Sequence, residues 1–190
     1  MYDDDVQQWR MIDHLYTQKL FRFPAYNLAI VRVKTPWIFN QFVNKIPYAT
    51  LDQDFDGVCI GTAVKTTKSW SRDRYLYAAN FYLTQRRKCE RQLLRSCLLY
   101  YCTDYDVSMS SSTEIEGGGL ICHGTGDPAE DEKLGLLVGV SSLINIGLPS
   151  LHNRVGLFHK WITDDCYEAA IINIYLLFAC IVICMVHNIV

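Results

Sequence analysis

The sequence predicts an all-β chain with small helical pieces and an apolar C-terminal helix. Three observations predict it. Short β-branched runs recur along the body, clusters of Gly, Asp, Asn and Ser separate them at the rhythm of an antiparallel barrel, and only one strong helical stretch interrupts them. Asn27–Val33 (NLAIVRV) alternates and reads as a buried strand. Thr35-Pro36 breaks it, and Ile38, Phe39, Phe42, Val43 and Ile46 then line a loop or short strand. Leu51–Gly57 (LDQDFDG) is a polar connector. Further strands are expected at Val58–Val64, Tyr75–Leu83, Leu98–Cys102, Gly119–His123, Leu134–Ser142 and Val155–Phe158. Lys88–Ser96 carries the helical signal, and Trp161–Glu168 starts a second helix that leads into the tail.

The chain's 190 residues, 50% of them hydrophobic, suit one ordinary domain or a small two-lobed one. A net charge of −2 gives no broad electropositive footprint, which argues against a nucleic-acid partner. The composition excludes a disordered or collagenous polymer, and no heptad pattern persists. The tail Ala169–Val186 (AAIINIYLLFACIVICMV) has Asn173 as its one strongly polar member. As a helix it would rise about 27 Å, near the hydrocarbon thickness of a thin bilayer. It reads as a transmembrane helix or membrane anchor, with a helix buried against the domain as the alternative. Residues 1–165 then form a folded domain and 166–190 the apolar tail. MYDDDVQQWR at the other end has neither apolar core nor basic leader, so no cleavable secretory signal is expected there.

Eight cysteines complete the reading: Cys59, Cys89, Cys97, Cys102, Cys122, Cys166, Cys180 and Cys184. They lack the paired CxxC units of a zinc ribbon, and only His123 adjoins one of them, so no metal site is expected. Cys180 and Cys184 lie inside the apolar tail and read as thiols or lipidation candidates, while the six of the turn-rich, aromatic-rich body read as a disulfide framework and hence an oxidising compartment. That conflicts with the missing leader, and a start truncated relative to its relatives would resolve the conflict.

The most informative segment is Glu114-Ile115-Glu116-Gly117-Gly118-Gly119-Leu120-Ile121-Cys122, a glycine run leading straight into an apolar strand that ends in Cys. It resembles the nucleophile loop of the trypsin/chymotrypsin-like serine proteases, Gly-Asp-Ser-Gly-Gly-Pro-Leu-Val-Cys. Three further matches follow in the family's order. Asn27–Val33 with Thr35-Pro36 is similar to Asp-Ile-Ala-Leu-Leu-Arg-Leu and its following proline. Phe81-Tyr82-Leu83 ahead of Cys89 is similar to the Val-Pro-Ile strand before the family's intermediate-helix cysteine. Pro149-Ser150-Leu151-His152-Asn153-Arg154-Val155, then Phe158 and Trp161-Ile162, resembles Pro-Gly-Val-Tyr-Thr-Lys-Val, Tyr and Trp-Ile. Leu137–Ser142 sits where the strand flanking the specificity pocket belongs.

The resemblance implies a trypsin-like double β-barrel with a nearly complete C-terminal barrel and a partial N-terminal one. It implies disulfides Cys59–Cys122 and Cys89–Cys102. Cys97 and Cys166 are left over, to pair with each other or with a partner chain. The family's bridge between the loop before the nucleophile and the loop after the pocket strand has lost both ends, since Ser110–Thr113 and Leu143–Leu148 hold no Cys. A partial barrel exposes edges and an apolar face. Residues 1–26, a partner, or the rest of a longer gene product would supply the cover.

Carried over residue by residue, the family's chemistry is missing. Acyl transfer needs a hydroxyl nucleophile, an imidazole base, an orienting carboxylate and oxyanion donors. Glu116 stands at the nucleophile position, where a carboxylate forms no such ester and repels a developing oxyanion. Asn27 stands at the orienting-Asp position, and in a serine protease that exchange lowers turnover about 10⁴-fold. The family's Ala-Ala-His-Cys motif would precede this chain, and His14 lacks its neighbours. Ile115 replaces the Asp that pairs with the ammonium released on zymogen cleavage, and Glu114 replaces an oxyanion-hole Gly. Ser110 lies at the base of the specificity pocket and Ser142 beside it, so a basic substrate side chain is not favoured.

Other candidates read as surface: Asp3-Asp4-Asp5, Gln85–Lys88 (QRRK), Asp127–Lys133 (DPAEDEK), and a Glu114/Glu116 acid pair. The expected function is therefore a catalytically inactive serine protease homologue acting as a protein-binding or regulatory module. It would need no cofactor and would sit outside the cell or on its surface, with residues 169–186 as membrane contact. The alternatives are an active serine-type endopeptidase completed by an absent N-terminal segment, and a vestigial membrane protein.

Overall fold

The computed structural model describes residues 8–66, 74–104, 113–114, 117–145, 147–164 and 180–182. Six strands close a ring: β3 (Val58–Thr66), β4 (Arg74–Thr84), β5 (Tyr100–Asp104), β7 (Gly119–Cys122), β8 (Leu136–Leu143) and β9 (Ser150–Arg154). Each pairs antiparallel with the next in the order β3-β4-β5-β9-β8-β7 and back to β3, which leaves no free edge. The two-residue β6 (Thr113–Glu114) adds to β3 at Val64 and Lys65. A second, three-stranded sheet runs β1 (Ile12–Thr17), β2 (Ala29–Val33), β10 (Cys180–Val182). The C-terminal barrel, expected to be nearly complete, closes fully, and the small sheet fits the partial N-terminal barrel expected beside it.

Three apolar clusters hold the parts. Cys59, Phe81, Leu120, Leu136 and Val138 fill the barrel. Leu28, Ile30, Val140, Val155, Phe158 and Ile162 glue the small sheet to it. Cys89, Cys97, Tyr100, Cys102 and Leu151 pack under α1 (Arg86–Leu93). Both implied disulfides form, Cys59–Cys122 across β3 and β7 and Cys89–Cys102 from α1 to β5. The first closes 63 residues of sequence, a constraint on the unfolded chain of about 4 kcal/mol.

Several elements depart from expectation. Residues 155–158 form a 3₁₀ turn, not a strand: Val155 and Phe158, three apart, both face the core. The helix around Cys89 starts at Arg86 and stops at Leu93 because Leu94 adopts a left-handed conformation, φ 51°. Within the tail, Cys180–Val182 pairs as a strand with Arg32, Val31 and Ile30, at odds with the expected helix. A short run rich in Ile and Val suits either state, and pairing with β2 decides for the strand. No helix among the described residues is long and apolar enough to cross a membrane. The rest of 169–186, with Cys166 and Cys184, lies outside the described residues, as do Asp3–Asp5.

The loop Asp127–Lys133 is better ordered by side chains than a plain surface loop. Asp127 is buried and accepts from the backbone N–H groups of Thr50, Leu51 and Ala129 at 2.9–3.0 Å. Burial alone would raise its carboxyl pKa, but these donors outweigh it and hold the group below its ordinary value.

Packing is close where β3 meets β4. A Cβ on Gly61 would lie 2.2 Å from a ring carbon of Phe81, so the small residue makes room for the large one. Gly61→Ala is expected to cost about 1–3 kcal/mol in urea unfolding. Combined with Phe81→Leu, the two substitutions are expected to cost less than the sum of their separate effects.

Candidate functional site

Asn27 lies two residues before the start of β2, and the expected specificity strand is β8. The two are brought together by a bulge: Ser141 pairs with His152 and Leu143 with Leu151, so Ser142 is the extra residue. A bulge re-aims its side chain, and Ser142 faces Asn27 and Pro24. Its hydroxyl donates to the Pro24 carbonyl at 2.9 Å and accepts from Asn27 Nδ2 at 3.1 Å. The Asn27 carbonyl accepts from Asn153 Nδ2 at 3.1 Å. An amide nitrogen, not a carboxylate oxygen, is therefore directed at Ser142. A carboxylate at position 27 would compete with Pro24 for the one hydroxyl proton.

The glycine run lies against the same strand. Gly117 N donates to Ser141 O at 2.8 Å, Ser141 N to Gly118 O at 2.9 Å, and Gly117 has φ 82°, which suits only glycine well. The Gly117–Gly118 backbone is thus fastened to β8. Ser110, Ile115 and Glu116 lie outside the described residues, and of Glu114 only its pairing with Val64 is described.

The described histidines have other partners than Asn27's amide, which donates to Ser142. His14 lies on exposed β1, stacked near Tyr16, and His123 is exposed. His159 neighbours Tyr48, with ring centres 5.7 Å apart. His152, in place of the Tyr of the closing motif, is fully buried. Its Nδ1 is 2.9 Å from Ser141 Oγ, its Nε2 is 2.8 Å from Thr103 Oγ1, and Phe81 packs edge-on against the ring. A serine beside an imidazole is nucleophile geometry. Yet Ser141, His152 and Thr103 are at most 2% exposed, so no carbonyl substrate reaches them. This trio is core, and it occupies the inner side of the strand that should flank a pocket.

Sequence reasoning missed this network, although the Tyr-to-His departure within the closing motif was its signal. It also missed Arg154, almost fully buried on β9. Arg154 pairs with Asp52 at 2.7 Å and with Asp54, and lies 4.4 Å over the Tyr101 ring. Tyr101 donates to Gln53 O at 2.7 Å, and burial pushes its phenol up to about 12. Together they fasten the 51–57 connector to the barrel wall. The same region holds a cleft of about 300 Å³ lined by charged residues such as Asp54, Asp56, Arg86 and Arg87, and neither Asn27 nor Ser142 borders it. The QRRK basic run is partly neutralised, Arg86 by Asp54 at 3.7 Å and Lys88 by Asp104 at 3.5 Å. Among the described residues, metal-ligand spacing occurs at Cys89, Cys97 and Cys102, two of which are joined as a disulfide.

Burial lowers the His152 pKa from its ordinary value to about 3. The fold therefore requires the neutral ring, and the unfolded chain binds the extra proton. This contribution is fully present above about pH 6.5 and is lost as pH falls towards 3, with a limiting slope of about 1.4 kcal/mol per unit. Chemical denaturation from pH 7 to 4 is expected to show that slope, and His152→Gln is expected to remove it from the profile.

The trypsin family model matches residues 2–162. Among solved structures, the inactivated protease paralogue S-D1 of the scabies mite superposes with a TM-score of 0.66 at 21% identity, covering 83% of this chain and 69% of its own. Neuropsin, a serine protease expressed in the limbic system of mouse brain, superposes with a TM-score of 0.68 at 15% identity, covering 86% and 74%. Both likenesses concern the fold. No curated protein matches the chain.

Proposed function

The chain belongs to the trypsin family, and we propose that within it this protein is a catalytically inactive homologue that works by binding another protein. The observation that carries the reading is the Asn27–Ser142 contact, in which an amide donor occupies the seat of the orienting carboxylate. With an amide there, an imidazole base would be held in the wrong tautomer. The sequence adds Glu116 at the nucleophile position. The structural likeness to an inactivated protease paralogue supports the possibility of such loss on this fold.

Surface chemistry supports the binding half. Gln8 and Ile38 exchange two hydrogen bonds, and Arg10 reaches Pro36 O and the Trp37 ring, so the 8–11 and 36–38 segments lie side by side. There Trp9 is 85% exposed, Ile38 71% and Met11 69%, with Phe39 and Phe42 next along the chain also exposed. Contiguous exposed apolar side chains mark an interaction surface. The two disulfides support an extracytoplasmic setting for the proposed module.

The test is a fluorophosphonate probe together with hydrolysis of a peptide library. Neither labelling nor cleavage is expected from the purified chain, nor from the double variant Asn27→Asp, Glu116→Ser, which restores two positions but not the base. Stoichiometric labelling of a serine in the wild-type chain would overturn the reading.

A further inference from the structure

Three sulfur atoms meet beneath α1. Cys89 on the helix and Cys102 on β5 are joined, and Cys97, in the loop between them, is fully buried. Cys97 Sγ lies 3.5 Å from Cys89 Sγ, at van der Waals contact, and all three Sγ atoms lie within 4.8 Å of one another. The loop holds the thiol there: Cys97 N donates to the Glu90 carboxylate at 3.1 Å, and Tyr100 N donates to Cys97 O at 3.0 Å.

We propose that Cys97 is an alternative disulfide partner of Cys89, so that the chain switches between two covalent isomers. The Cys97 thiolate attacks Cys89 Sγ. The Cys89–Cys97 bond forms as the Cys89–Cys102 bond breaks, and Cys102 leaves as a thiolate that takes up the proton Cys97 gave up. One disulfide and one thiol are present before and after, so neither oxidant nor reductant is consumed.

Chain entropy barely separates the isomers. Loops of 13 and 8 residues differ by a factor of about two in closure probability. Packing and access therefore set the balance. The mechanical outcome is larger. Cys89–Cys102 ties α1 to the barrel wall, whereas Cys89–Cys97 ties α1 only to the loop that follows it. Cys102 also lines the cleft beside Asp54, Arg86 and Arg87, so the exchange places a free thiol at the cleft wall while untying the helix above it.

Burial raises the Cys97 thiol above its ordinary pKa and the Glu90 carboxylate adds to this, while Arg95 pulls the other way; the Tyr100 phenol on β5 is the remaining titratable neighbour. Exchange is accordingly slow at neutral pH and quickens as the thiolate fraction grows.

The test uses the full oxidised chain, held without denaturant at pH 7, 8 and 9, quenched in acid, alkylated and mapped by mass spectrometry. Cys89–Cys97 peptides carrying alkylated Cys102 are expected to accumulate beside the Cys89–Cys102 form, about tenfold faster per pH unit. Cys97→Ser is expected to abolish them, and Cys102→Ser to yield the Cys89–Cys97 bond. The proposal is overturned if the wild-type chain keeps only Cys89–Cys102 at every pH, or if Cys97 is found bonded to Cys166. Two free thiols in a folded Cys102→Ser chain also overturn it; should that variant fail to fold, the wild-type maps decide alone.

Discussion

The joint between Asn27 and Ser142 carries more of this molecule than the one hydrogen bond between them suggests. Ser142 is the bulged residue of β8, so its hydroxyl leaves the barrel and meets the segment entering β2. Asn153 on the neighbouring strand closes the same joint from below through the Asn27 carbonyl. Around these polar contacts Leu28, Ile30, Val140 and Phe158 bury one face of the small sheet against the barrel. The polar joint fixes register and orientation, and the apolar contacts supply the larger share of the adhesion. One amide thus serves the architecture at the joint between small sheet and barrel.

The barrel interior follows the same logic. His152, Ser141 and Thr103 satisfy one another's hydrogen-bonding groups, which is the condition for keeping polar side chains in a core. Gly61 and Phe81 show a size exchange beside that network. A wall that would border a substrate pocket has been packed as interior. Fold and chemistry are separable here: the barrel and its two disulfides form, whereas activity depends on individual side chains that the fold alone does not supply.

Much of this was legible in the residues. β2, β3, β4, β7 and β8 announced themselves by β-branched alternation, and the two disulfides followed from motif order rather than from spacing. The strands that escaped did so for physical reasons. β1 is almost wholly exposed, so its side chains carry no alternating pattern. β9, Ser-Leu-His-Asn-Arg, is buried at every position but mostly polar, because its neighbours supply hydrogen bonds and carboxylates that a linear reading does not see. β6 is two residues long. At Cys180–Val182 the helix expectation failed because Ile and Val runs serve helix and strand alike. At the site, substitutions were readable one by one. The Ser142 bulge and the aim of the Asn27 amide needed the three-dimensional register.

The most direct measurement is side-chain amide exchange at Asn27 by NMR, with exposed Asn44 as internal reference. The Asn27 NH₂ is predicted to exchange with solvent at least tenfold more slowly than that of Asn44, and to shift and speed up in Ser142→Ala. An Asn27 amide that exchanges as fast as Asn44's and ignores the loss of the Ser142 hydroxyl would contradict the account, because the seat of the orienting acid would then be an unoccupied surface position.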